Sequence, residues 1–258
     1  MMRVIKIGGR AQNDERLFKA ICDAWIAAPG SLCVVHGGGD EVSSLQRAMG
    51  RDAVFVGGRR VTSQSDIELL RMVLSGVVNK KLVSRFQNAG VPALGLSGED
   101  GGLIEAEVVD SATLGLAGRP RAVNARLLHT ILDAGYMPVI SPVSYNCSDS
   151  KSSSGALNVN GDDAAAAIAV ALEADELLLV ADVRGVRTQT GEFAQSLNVE
   201  QAKELIDSGV AAGGMAAKLE SATNALAAGV ERVRICDPEG IRSQEQGTYF
   251  TQSAGFAI

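Results

Sequence analysis

Four glycine-rich turns stand behind short apolar runs: Gly8-Gly9, Gly37-Gly38-Gly39, Gly57-Gly58, and Gly98 with Gly101-Gly102. A strand ending in glycines lets backbone N–H groups converge on an anion, and in open parallel sheets such turns lie where ligands bind. Lys6 sits inside the apolar run VIKIGG, where an ammonium is costly to bury unless it faces a ligand cleft or an anionic partner. Lys218 follows Gly213-Gly214-Met215 at an expected helix start, whose free N–H groups also favour an anion. Arg60, in GGRRVT, offers a planar fork suited to a carboxylate, whereas Arg59 beside it reads as a surface charge. In the run Asn158-Val159-Asn160-Gly161-Asp162, two amides and an acid stand at the entrance to an alanine-rich helix. An amide there can orient a polar substrate group. Asp162 reads either as an ordinary N-cap or as the acid that holds lysine ammonium groups in position.

These residues need a scaffold, and the hydrophobic pattern supplies one. Short β-rich runs alternate with longer helical stretches, which predicts an α/β fold around a mainly parallel sheet. Strands are expected at Arg3–Ile7, Leu32–Val35, Pro92–Leu96, Met137–Ser141, Glu176–Val180 and Arg232–Ile235. Helices are expected at 13–28, 40–49, 65–88, 124–134, 162–172, 199–208 and 215–228. The stretch 65–88 is the longest, and its apolar face fits either a core helix or a subunit interface. Ser144–Gly155 is polar and serine-rich, a loop or hairpin. A second α/β unit is expected to begin near residues 173–176, dividing the chain into 1–174 and 175–258.

Composition narrows the classes. The chain has 258 residues, long enough to bury a core without disulfides, and carries 29 glycines. Its formal charge of −6 argues against a general phosphate-backbone binder, and no aromatic cluster lies on a basic strand, so no nucleic-acid partner is expected. Cys22, Cys33, Cys147 and Cys236 form no C-x-x-C pair and the two histidines, His36 and His129, stand far apart, which suggests neither a zinc site nor a disulfide framework. His36 reads as a turn residue. No run is long and apolar enough for a membrane span, and MMRVIKIGGR runs straight into a strand, so a cytoplasmic protein is expected. Neither a Walker-type G-x-x-x-x-G-K-[ST] nor a G-x-G-x-x-G follows a strand, which disfavours P-loop enzymes and dinucleotide dehydrogenases.

The strings VIKIGG, VVHGGG, GGRRVT, VNKKLV, GLSGEDGGL, NVNGDDAA, LLVADVRGV and GGMAAK occur in that order and span nearly the whole chain. With them the sequence resembles the acetylglutamate kinases of the amino acid kinase family. The resemblance implies a three-layer αβα sandwich in two lobes, residues 1–174 binding the acylated amino acid and forming a homodimer, and residues 175–258 binding MgATP. It implies ATP-dependent phosphorylation of the γ-carboxylate of N-acetyl-L-glutamate, in arginine biosynthesis. Carried over by position, Lys6 and Lys218 stabilise the transferring phosphoryl group and Asp162 organises them. Gly38, Gly39, Arg60 and Asn158 bind the acyl substrate. Gly8 and Gly9 cradle phosphate oxygens, while Asp182, Val183, Arg184, Gly185, Val186 and Arg187, with Val210, Ala211 and Ala212, line the nucleotide site. Mg²⁺ is held mainly by ATP phosphates, with no protein metal site.

This chemistry suits the residue set, because phosphoryl transfer to an already ionised carboxylate asks for positioning and charge neutralisation and for no general base. Two other readings stay open: a kinase for a carrier-protein-bound glutamate or aminoadipate, and a non-catalytic ligand sensor of the same fold. Arginine-inhibited relatives carry an extra helix before the first strand, so neither a hexameric ring nor arginine feedback is expected. The sequence carries no reading of a nitrogen-regulatory partner.

Overall fold

The computed structural model describes residues 1–8, 14–148 and 155–252. Gly9 and residues 149–154 of the serine-rich segment therefore lie outside the described residues. The strands are β1 (Arg3–Ile7), β2 (Leu32–His36), β3 (Phe55–Val56), β4 (Arg59–Arg60), β5 (Ala93–Gly98), β6 (Ile104–Val108), β7 (Ala117–Val123), β8 (Met137–Asn146), β9 (Ala156–Val159), β10 (Glu176–Val180), β11 (Ser196–Asn198), β12 (Arg232–Cys236) and β13 (Thr248–Thr251). The helices are α1 (Glu15–Ala27), α2 (Gly39–Ala48), α3 (Gln64–Leu70), α4 (Asn79–Asn88), α5 (Ala125–Asp133), α6 (Gly161–Ala171), α7 (Val199–Asp207) and α8 (Gly214–Ala227).

Among the described residues, eleven strands form one sheet in the order β11-β13-β12-β10-β1-β2-β8-β6-β7-β9, with β5 also on β8. β1 is central and pairs in parallel with β10 and β2, with Lys6 opposite Leu179 and Val35. The sheet runs unbroken past 174/175, because β10 pairs directly with β1. Alternation along each strand builds two cores. Ile5, Ile7, Val34, Val139 and Leu178 pack with α1, α3 and α4 on one face. Val4, Val35, Leu177, Leu179 and Val233 pack with α6, α7 and α8 on the other. This is the expected three-layer α/β fold.

Several local expectations need correction. The stretch 65–88 is one continuous helical run, but residues Arg71–Val78 in its middle are π-helical, joining α3 to α4. Such wide turns insert a residue and recur beside functional sites. Of the loop or hairpin expected at Ser144–Gly155, the described ends form the hairpin: Ser144 to Asn146 continue β8, which pairs antiparallel with β9. Two further antiparallel pairs, β6 with β7 and β12 with β13, leave the sheet mainly parallel. The period-2 signal of β6, β7, β9, β11 and β13 is too short to read without their partners. His36 is no turn residue but the buried end of β2. Its ring stands between Gly37 O, 2.8 Å from Nδ1, and the Asn79 side-chain amide, 3.0 Å from Nε2. Burial pushes its imidazole down to about 4, so it is neutral at physiological pH.

Candidate active site

The site forms where the carboxyl end of β1 meets the starts of three helices. Asn160 caps α6, its side chain accepting a hydrogen bond from the Asp162 N–H at 2.8 Å. Gly38 precedes α2 and Gly213 precedes α8. Gly38, Gly39, Asn160, Gly161 and Gly214 all line one cleft of about 510 Å³. Three helix N-termini thus open on the same space, each adding uncompensated N–H groups and the positive end of a dipole. Gly38 adopts φ 148°, and a Cβ there would lie 2.6 Å from Leu74 Cδ2, so only glycine brings the backbone this close.

Lys6, Asp162 and Lys218 come together at the floor of the cleft. Lys6 Nζ lies 2.9 Å from Asp162 Oδ1, and Lys218 Nζ lies 3.0 Å from the same oxygen and 3.2 Å from Oδ2. Gly161 makes room for the first contact, since a Cβ there would sit 3.1 Å from Lys6 Cε. Burial alone would raise the Asp162 carboxyl, but the two ammonium groups outweigh it and hold the group at about 2. Burial and then the neighbouring Lys6 charge lower Lys218 to about 8, against the pull of Asp162. Two cations share one anion, so this cluster keeps a surplus positive charge beside the helix N-termini.

Arg60 and Asn158 line the same cleft. Arg60 is buried, and its fork donates to Gln46 Oε1 at 2.5 Å, to Gly39 O at 2.9 Å and to Ser43 Oγ at 2.7 Å. Those acceptors are all neutral, while the Asp66 and Asp40 carboxylates act on the guanidinium without a direct hydrogen bond and offset part of the cost of its burial. Phe55 covers its face at 4.7 Å. The Asn158 side-chain amide donates to Thr62 Oγ1 at 2.8 Å, and that hydroxyl donates to Arg60 O at 2.9 Å. Val42, Leu70, Leu74 and Pro142 add apolar lining to the cleft.

The nucleotide-side expectations divide. Asp182 and Val183 line the main cleft, and Asp182 and Arg184 line an adjoining cleft of about 650 Å³. Gly185 packs against Thr248, Val186 is buried and donates its N–H to Thr248 Oγ1 at 2.8 Å, and Arg187 stacks over Phe193 at 4.8 Å. Val210, Ala211 and Ala212 form the turn between α7 and α8, outside the lining of both clefts. Gly8 directly follows β1. Sequence reasoning missed Gln46, Ser43 and Thr62, because neutral side chains that orient a cation carry no recognisable spacing. It also misread Arg59, which is no free surface charge: it lines the cleft and pairs with Asp163 at 2.7 Å.

Comparison with known proteins converges on one group. The model of the amino acid kinase family matches residues 1–237. The acetylglutamate kinase of Methanopyrus kandleri is 41% identical over 250 residues, covering 93% of this chain and 96% of that protein. The acetylglutamate kinase of Cereibacter sphaeroides is 40% identical over 237 residues, covering 91% and 79%. Among solved structures, the smu.665 protein of Streptococcus mutans UA159 superposes with a TM-score of 0.85 at 31% identity, over 98% of this chain and 99% of that one. A carbamate kinase from Giardia lamblia bound to AMP-PNP shares the fold at a TM-score of 0.69 and 15% identity, over 98% of each chain.

Proposed function

Because the chain belongs to the amino acid kinase family, we propose that it is an acetylglutamate kinase, transferring the γ-phosphoryl group of MgATP to the γ-carboxylate of N-acetyl-L-glutamate. The observation that carries the reading is the cluster of Lys6 and Lys218 on one carboxylate, facing a cleft that is also lined by a buried Arg60 whose hydrogen-bond acceptors are neutral. Two anionic reactants need such a site: cations where the phosphoryl group transfers, and a separate fixed cation for the acyl substrate.

In this reading Arg60 and the Asn158 amide hold the acyl amino acid, with Gly38 and Gly39 close against it. Gly8, Gly9, Asp182 to Arg187 and Val210 to Ala212 serve the nucleotide. The γ-carboxylate is ionised at neutral pH and attacks the γ-phosphorus directly. A P–O bond to the carboxylate forms as the bond to the ADP oxygen breaks, giving N-acetylglutamyl 5-phosphate and ADP. Charge on the equatorial oxygens is met by Lys6, Lys218 and helix N–H groups, preorganised where water would have to reorient. Asp162 takes no proton; it fixes both ammonium groups. Its two oxygens are already occupied by lysines, so the Mg²⁺ of the substrate is left to the phosphate oxygens.

The reading includes an acyl-binding lobe of residues 1–174, a nucleotide lobe of residues 175–258, a cytoplasmic location and a place in arginine biosynthesis. No helix among the described residues is long and apolar enough to cross a membrane. It also includes a homodimer, supported by Met72 and Val77, 55% and 51% exposed along the π-helical segment. Leu70 and Leu74 of the same helical run line the cleft.

The test is ADP release and hydroxamate trapping with MgATP against N-acetylglutamate, glutamate, aspartate, carbamate and N-acetyl-aminoadipate. Hydroxamate with N-acetylglutamate alone is expected. No turnover with any small acid would overturn the substrate assignment in favour of a carrier-bound acid or a ligand sensor.

A further inference from the structure

Asp162 and Asp163 are consecutive in the first turn of α6, and they serve different elements. Asp162 takes the two lysines. Asp163 Oδ1 accepts a hydrogen bond from Ser221 Oγ at 2.7 Å, and Ser221 lies three positions after Lys218 on α8. Asp163 Oδ2 stands 2.7 Å from a terminal guanidinium nitrogen of Arg59 on β4. The two side chains are only 29% and 15% exposed, so this ion pair is shielded better than a surface pair.

Arg59 sits in the β3–β4 hairpin, whose strands pair only with each other among the described residues. Gly57 and Gly58 both have positive φ, 54° and 75°, which closes a two-residue turn compatible with the strand twist. The turn lies against α8: a Cβ on Gly58 would be 3.5 Å from Gly213 O and 3.9 Å from Ala217 Cβ. Gly58, Arg59, Arg60 and Phe55 of this hairpin line the cleft. A two-stranded hairpin is marginal by itself and needs an anchor to hold one position.

We propose that Asp163 is a positioning residue: through Arg59 and Ser221 it latches the β3–β4 hairpin to α8, fixing the cleft wall that carries Arg60 against the helix that carries Lys218. The acyl-binding and phosphoryl-binding ends are thereby held at one spacing. The consequence for turnover rests on the kinase reading; the latch itself does not, since it concerns only how tightly the hairpin is held.

Amide hydrogen exchange separates the two. In Arg59→Gln and in Asp163→Asn, exchange at hairpin residues 55–60 is expected to rise about fivefold, the double variant rising no further than either single one. Arg59→Gln leaves α6 with its own sequence and with the Ser221–Asp163 hydrogen bond, so it guards against a folding defect peculiar to Asp163→Asn. With N-acetylglutamate as substrate, Arg59→Gln is expected to raise KM several-fold more than it lowers kcat. Wild-type hairpin exchange in Arg59→Gln would overturn the latch whatever the substrate proves to be, and so would exchange in the double variant that rises as the product of the two single effects. If instead exchange rises as expected while no small acid is turned over by the unaltered protein, the latch stands and the substrate assignment fails.

Discussion

Lys6 of β1 and Lys218 of α8 set their ammonium groups on the same oxygen, Asp162 Oδ1, at 2.9 and 3.0 Å. Like charges this close are stable only through the carboxylate between them, so the arrangement is poised rather than relaxed. A second anion entering from the cleft relieves the residual repulsion, which makes the cluster an acceptor for a phosphoryl group.

Asp162→Asn therefore removes the carboxylate on which both lysines rest. The expected cost is roughly 3 kcal/mol of folding stability, typical of breaking a buried ion pair, and at least a tenfold loss of kcat. Urea unfolding and steady-state kinetics on the same preparation check both.

Acid should remove part of that stability in the wild type. The folded-state carboxyl is held at about 2 against an ordinary 3.8. Its contribution, roughly 2 kcal/mol, is present above pH ~4 and is lost as pH falls through about 2. Unfolding free energy measured from pH 5 to 2 should show this loss, and Asp162→Asn should lack it.

Alkali should act on activity through Lys218. Its ammonium is held at about 8, so kcat/KM, which reports the free enzyme, should fall as pH rises past that value. Lys218→Arg should abolish the alkaline limb at that pH even if its overall rate is low, because a guanidinium stays charged. A limb unchanged in the arginine variant would assign the titration elsewhere.

Arg60→Gln removes a fixed charge whose hydrogen-bond acceptors are neutral. KM for N-acetylglutamate should rise by about 10- to 100-fold, the worth of charged hydrogen bonds, with kcat changed far less. A matching fall in kcat would place Arg60 at the reacting end instead.

Gly38→Ala meets Leu74 Cδ2 at 2.6 Å and a φ of 148°. Strain of about 1–3 kcal/mol and a displaced cleft wall are expected, read as a lower Tm together with a raised KM.

The parts of this molecule that were legible from the chain are those fixed by local chemistry. Arg3–Ile7 and Glu176–Val180 emerge as strands with the expected bounds, because both faces are buried and β-branched or leucine residues dominate the runs. Lys6 was conspicuous as the charge inside the apolar run VIKIGG, and Asp162 as an acid at a helix start. The β6–β7 pair was not legible, since its polar edge residues, Glu107 against Arg119, gain meaning only when the strands meet. Arg59 and Asp163 escaped for the same reason: an ion pair between a hairpin and a distant helix has no sequence spacing. His36 was misplaced because glycines after it suggest a turn, whereas it ends β2 buried, its ring met by Asn79 at the start of α4.

The central claim is that the two lysines act on the transferring group and not on ground-state binding. Single-turnover phosphoryl transfer in Lys218→Ala, beside calorimetric Kd values for N-acetylglutamate and for a non-hydrolysable ATP analogue, tests it most directly. A transfer rate lower by 100-fold or more (about 3 kcal/mol) is expected, with each Kd changed by less than about tenfold. Kd values weakened as far as the rate falls, or a transfer rate near that of the wild type, would contradict it.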